Sequence, residues 1–231
     1  MSINLLEKIQ EIIDYVNLRV QSHPFGKNTI QSWNVDWTQA NSPTAFEQTV
    51  IDLWKGARLG QTYTYDLSLV VSFLISAKKK FTIPNIFISE LAKTLYDSID
   101  TNGYVPFSFI QYPNDVFEKN GNFTGTAAWV GMSLLKYGHE YSDNNFVTKA
   151  IRVYDYIDAN FKTSFTNGVL FKGGIGKNWY STEHNIDMWH FVNYLYFVTK
   201  DSKYKAMRNS LRTAILYYLW DDVKGTFQIG K

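Results

Sequence analysis

Three stretches of the chain are apolar on nearly every side: residues 65–74 (YDLSLVVSFL), 126–135 (TAAWVGMSLL) and 186–195 (IDMWHFVNYL). They recur at a period of about 60 residues. A helix that is apolar all round is buried on most sides. Each stretch is followed by one of a different kind, at residues 87–99, 146–161 and 204–220. There, apolar positions recur at a spacing of 3–4 with Lys, Arg, Glu or Asp between them, the pattern of a helix with one wet face. Each of these ends near a glycine turn: Asn102-Gly103, Asn167-Gly168 and Lys224-Gly225. Such a glycine reads as a left-handed helix stop.

The repeating unit is therefore a hairpin of one buried and one outer helix. Stacked units form concentric layers, and a curved double layer is an α/α toroid. The predicted fold is all-α, with residues 1–231 forming one toroid domain. Two more helices, at residues 3–20 and 44–58, precede the first clear unit, and Ser42-Pro43 suits the second one's start. About eight helices result from this repeat. Stretches 21–41, 102–124 and 163–180 lack helical periodicity and lead into the buried helices. A site would form on that side of the layers.

Composition narrows the function. With 45% apolar and 19% charged residues the chain is not disordered. Its net charge of +2 gives no general pull toward nucleic acid or anionic membrane. Cysteine is absent, which excludes disulfides, thiolate metal sites and a cysteine nucleophile. No apolar run reaches the roughly 18 residues of a membrane span. The N-terminus reads as a helix rather than a signal peptide, so the expected location is the cytoplasm, unless delivery follows a route the sequence does not reveal. Aromatic content is high, with 7 Trp, 16 Tyr and 16 Phe. Part of it is core, and part suits a cleft that stacks on sugar rings.

Two motifs carry a resemblance. The run Gly125-Thr126-Ala127-Ala128-Trp129-Val130-Gly131 and the run Ser181-Thr182-Glu183-His184-Asn185-Ile186-Asp187 resemble bacterial members of the six-hairpin (α/α)6-toroid glycosidase superfamily. Tyr65-Asp66 resembles a third family helix start, with Leu67-Ser68 in place of the family's Gln-Ala. The likeness runs from about Thr62 to the C-terminus. It implies a toroid and carbohydrate chemistry, without naming a sugar. Six units of about 60 residues need about 360, whereas this chain has room for four hairpins or fewer. It is either a fragment or a shortened, open ring, whose exposed edge would call for a partner chain.

Glycoside hydrolysis needs two carboxyl groups across the scissile bond. Asp66, Glu183 and Asp187 are the candidates. Asp66 and Asp187 occupy the same place in their units on this alignment, and Glu183 and Asp187 are spaced to share a helix face. Glu183 is the expected acid and Asp66 or Asp187 the base, with the reverse order open. The bland alternative is that a first-turn acid merely offsets the helix dipole behind an N-cap at Ser181 or Thr182. His184 is expected to bond to Asp187, to orient a carboxylate or bind a sugar hydroxyl, or, in an epimerase, to shuttle a proton. His190 reads as a core histidine, and His139 and His23 as solvated turn residues. Trp129, Trp179, Tyr180, Tyr65 and Trp33 are candidates for sugar stacking, and Asn185 for a polar sugar contact. No zinc-type spacing is present, and no metal or cofactor is expected. The expected partner is an oligo- or polysaccharide and not a nucleic acid. The leading reading is a glycoside hydrolase. The alternatives are a non-catalytic carbohydrate-binding or structural module and a sugar epimerase.

Overall fold

A computed structural model describes residues 5–21, 61–111 and 117–230. Helix α1 (Leu5–Gln21) comes first. Strand β1 (Gln61–Tyr63) leads into α2 (Thr64–Ala77) and α3 (Asn85–Ser98). Strands β2 (Ser108–Gln111) and β3 (Phe117–Asn120) precede α4 (Thr124–Glu140) and α5 (Asn144–Phe161). Strands β4 (Lys162–Phe165) and β5 (Gly168–Phe171) precede α6 (Thr182–Thr199) and α7 (Ser202–Tyr218). The last pair is β6 (Trp220–Asp221) and β7 (Thr226–Phe227). The helix expected at 44–58, the 21–41 loop, His23, Trp33 and Pro43 lie outside the described residues.

The three expected hairpins are α2–α3, α4–α5 and α6–α7. The inner helices pack side by side, with α4 between α2 and α6, and each outer helix backs onto its own inner helix. The inner helices bury Leu67, Val71 and Leu74, then Ala127, Val130 and Leu134, then Met188, Phe191 and Leu195. Close approach of α4 and α6 depends on Gly131: a Cβ there would stand 2.1 Å from Cζ of Phe191. The outer helices bury one stripe each, for example Ile88, Leu91, Ala92 and Leu95 at helical spacing in α3. Asp143 and Asp201 cap α5 and α7 by accepting from Asn145 N–H and Lys203 N–H. This is the α/α toroid architecture. Among the described residues, no helix is long and apolar enough to cross a membrane.

The glycine turns are not helix stops. The outer helices end at Ser98, Phe161 and Tyr218, several residues earlier. Two of the glycines belong to β-hairpins that follow the helix. Gly168, at φ +114°, closes the β4–β5 turn, and Gly225, at φ +62°, lies between β6 and β7. Stretches 102–124 and 163–180 accordingly hold paired strands, with β1, β2 and β3 forming one antiparallel sheet. An Asn-Gly pair serves a hairpin turn and a helix end equally well, so the motif alone does not separate them.

The hairpins are tied together by a device that repeats once per unit. Each inner helix begins with a buried threonine: Thr64, Thr124 or Thr182. The backbone N–H of each donates to a carbonyl on the chain returning from the next outer helix. The three bonds are Thr64 to Phe107 at 3.2 Å, Thr124 to Gly173 at 3.1 Å and Thr182 to Ile229 at 3.2 Å. Each hydroxyl donates to the carbonyl one residue earlier, of Pro106, Lys172 or Gln228, at 2.5 Å. These sequence separations are 42, 48 and 46 residues. The threonine thus satisfies a free N–H of the helix's first turn and fixes the mouth of the layer.

Candidate active site

The threonine clasp aligns the three inner helices. The residue after it is Tyr65, Gly125 or Glu183, and the next is Asp66, Thr126 or His184. All six line one cavity of about 420 Å³, together with Tyr63, Phe107 and Asp187. In this register Asp66 corresponds to His184, not to Asp187. Asp187 lies one turn deeper on α6, on the same face as Glu183, as their spacing predicts. The apolar repeats could be slid by a few residues without penalty, which is why the sequence alignment placed Asp66 and Asp187 together.

Asp187 is mostly buried. Burial, and then the charge of Glu183, push its carboxyl up to about 7, against the opposing effect of the Trp129 indole N–H as donor. Tyr65 is half-buried, and its hydroxyl is raised by burial and then by Asp187, Glu183 and Asp66. Tyr65 is therefore a neutral O–H set among three carboxyl groups. Among the described residues, no three His, Asp or Glu side chains come close enough to hold a metal ion.

His184 is held by packing. A Cβ at Gly125 would stand 2.5 Å from its Cδ2, and the Trp179 ring lies 5.5 Å away. Trp179 itself sits on Gly173, where a Cβ would stand 2.2 Å from the indole. Ser181 caps α6 and accepts from the His184 backbone N–H at 3.3 Å. Burial pulls the imidazole below its ordinary range, partly offset by Glu183. Its Nδ1 is buried with no hydrogen-bond partner. The expected bond from His184 to Asp187 is not made.

Asp66, Glu183, Asp187, His184 and Tyr65 thus meet at one cavity. Trp129 lies behind the wall, its ring edge-on to Tyr65 at 6.0 Å. Trp179 is 41% exposed beside His184. Two candidates serve the scaffold instead. The fully buried Asn185 amide accepts from Phe171 N–H at 2.8 Å and donates to the carbonyls of Phe171 and Ser181. The Tyr180 hydroxyl donates to Thr163, and its ring packs on Phe165. Neither lines the cavity. His190 is exposed beside Trp189 rather than in the core, because among the described residues α6 has an inner neighbour on one side only. His139 is exposed as expected, but at the end of α4 rather than in a turn. Tyr63, Phe107 and Thr126 were not singled out by sequence. Reading outward from the three threonines would have found Tyr63 and Thr126, whereas Phe107 arrives on the returning chain.

No family model matches the sequence, and no curated protein matches it. Solved structures do resemble it. The unsaturated glucuronyl hydrolase of Bacillus sp. GL1 superposes with a TM-score of 0.71 at 11% identity, over 95% of this chain and 58% of that one. A D-mannose isomerase gives 0.61 at 15% identity, over 74% and 49%. The GH76 alpha-mannanase of Bacteroides thetaiotaomicron gives 0.56 at 16% identity, over 71% and 47%. The chain spans about half the length of these structures. At such identities the likeness is one of fold, and it places this chain among the α/α toroids.

Proposed function

We propose that the protein is carbohydrate-active and acts as a glycoside hydrolase, with Asp187 as general acid and Asp66 as the facing carboxylate. The observation that carries this reading is a carboxyl pushed to about 7 on a cavity wall shared with two other acids. A group of that kind holds a proton at neutral pH and can give it to a leaving-group oxygen. This reverses the order expected from sequence, in which Glu183 was the acid. Glu183 is exposed and shares a helix with Asp187, so its charge keeps the proton on its neighbour. Asp66 comes from α2, with α4 in between. Gly125 and Thr126 of α4 line the cavity between the two helices, Gly125 making space for the His184 ring. Tyr63 and Phe107, edge-on at 5.1 Å, supply an aromatic flank. The Ser181 to Asp187 run, which resembles toroid glycosidases, supports the same reading. Exposed Leu216 and Tyr217 on the last described hairpin support a partner surface along the ring edge.

The test is sugar release from a glycan panel by wild type, Asp187→Asn and Asp66→Asn. Each variant is expected to lose about 10²–10⁴-fold in turnover while retaining glycan binding. Full turnover by Asp187→Asn removes it from the mechanism. Binding by wild type with no product released selects the non-catalytic module. A sugar isomerase or epimerase is a second reading, favoured by the uncharged His184 on the cavity wall. Deuterium incorporation into sugar in heavy water, lost in His184→Ala, would select it.

A further inference from the structure

We propose that the cavity accepts a glycosyl unit carrying no anionic group and discriminates against uronic acids and sulfated sugars. This rests on the carbohydrate reading above and assigns its substrate class. The wall carries three carboxyl groups, Asp66, Glu183 and Asp187, and neither lysine nor arginine is among its described residues. Lys177 lies over the Phe123 ring at 5.5 Å, and Phe123 packs behind Phe107, so this cation is not part of the wall. His184 adds no positive charge to offset the acids, since burial favours its neutral form. The remaining polar groups, the Tyr65 and Thr126 hydroxyls, are neutral.

A sugar carboxylate or sulfate in such a cavity would lose its hydration and face like charges with no cation to pair with. A neutral ring fits better, because its hydroxyls donate to the carboxylates and accept from Tyr65. An ammonium group on the ring would meet the carboxylates as a counter-ion. The same chemistry therefore covers neutral and amino sugars.

The experiment compares binding and cleavage of matched nitrophenyl glycosides by the full chain: β-glucoside, α-mannoside, β-glucosaminide and β-glucuronide. Saturation-transfer NMR reads binding, and nitrophenol release reads cleavage. The expected result is that a neutral or amino probe binds and that the glucuronide binds about 100-fold more weakly, the effect of like charges near a protein surface. Glu183→Gln, at an exposed position, is expected to narrow that ratio by about 10-fold. A glucuronide that binds as well as the glucoside overturns this inference and leaves the glycoside reading standing. So does a ratio unmoved in Glu183→Gln, since a purely steric exclusion would not respond to the charge. Failure of every probe to bind overturns the glycoside reading, and this inference with it.

Discussion

At the scale of the residue, Asp187 sets the behaviour with pH. Its proton is retained because burial and then the Glu183 charge disfavour the carboxylate. If it donates that proton in the reaction, activity falls as pH rises through about 7. Glu183→Gln removes one of the two causes, so the basic limb of the pH profile moves to lower pH. A limb that stays in place would mean the titrating group is not Asp187. Stability follows the same proton. The native carboxyl titrates above its unfolded value, so its favourable contribution is full at low pH and is lost as pH rises toward and through about 7. Asp187→Asn is therefore expected to be about 1–3 kcal/mol more stable than wild type at pH 8, allowing for its partial exposure, with the advantage shrinking toward pH 4. Urea unfolding at the two pH values reads the difference. A greater stability of the variant at pH 8 than of the native protein would be the signature of a group held in an unfavourable charge state for function.

At the scale of the element, the threonine clasp makes a mouth out of three separate helix starts. Each hydroxyl donates to a carbonyl of the returning chain. Thr124→Val keeps the shape and deletes the donor, leaving the part-buried Lys172 carbonyl without it. A loss of about 1–3 kcal/mol follows, with Thr124→Ser recovering most of it. Urea midpoints for the two variants check this, and equal midpoints would show that water replaces the hydroxyl. The helices themselves were legible in the sequence to within a few residues, because all-round apolar and one-faced patterns differ so strongly. Their register was not. Alternating apolar residues match at several offsets, and the polar threonines that fix the offset look ordinary in sequence. The same limit decided the site. The acids and His184 were visible because ionisable groups stand out at an apolar helix start. Asn185 and Tyr180 have the same polar character, but they bond to Phe171, Ser181 and Thr163, and a sequence does not distinguish a ligand contact from a backbone tie.

At the scale of the whole molecule, the hairpins touch mainly their neighbours, so stability is expected to vary along the row. Helix α4 is packed by α2 on one side, α6 on the other and α5 behind. Helix α6 has α4 on one side and α7 behind, and no described helix packs on its other flank. That flank holds a cavity of about 180 Å³ lined by Ile186, Trp189, Arg212, Ile215 and Leu216. The Trp189 indole N–H is buried there without a partner. Leu216 is 45% exposed there, so part of the apolar surface of this hairpin is left uncovered by the described residues. Opening α6–α7 therefore breaks one inner-helix interface and the Thr124 clasp on the chain that leads into α6, whereas opening α4 breaks two interfaces and the Thr64 and Thr124 clasps. Native-state hydrogen exchange should accordingly rank amide protection in α4 above that in α6 and α7. Because the cavity is walled by α2, α4 and α6 together, a ligand that binds it stabilises the weakest of these walls most. Adding a bound sugar should raise protection at the start of α6 more than in α4. Uniform protection along all three inner helices, with and without sugar, would mean that the row opens as one cooperative unit and that this flank of α6 costs it nothing.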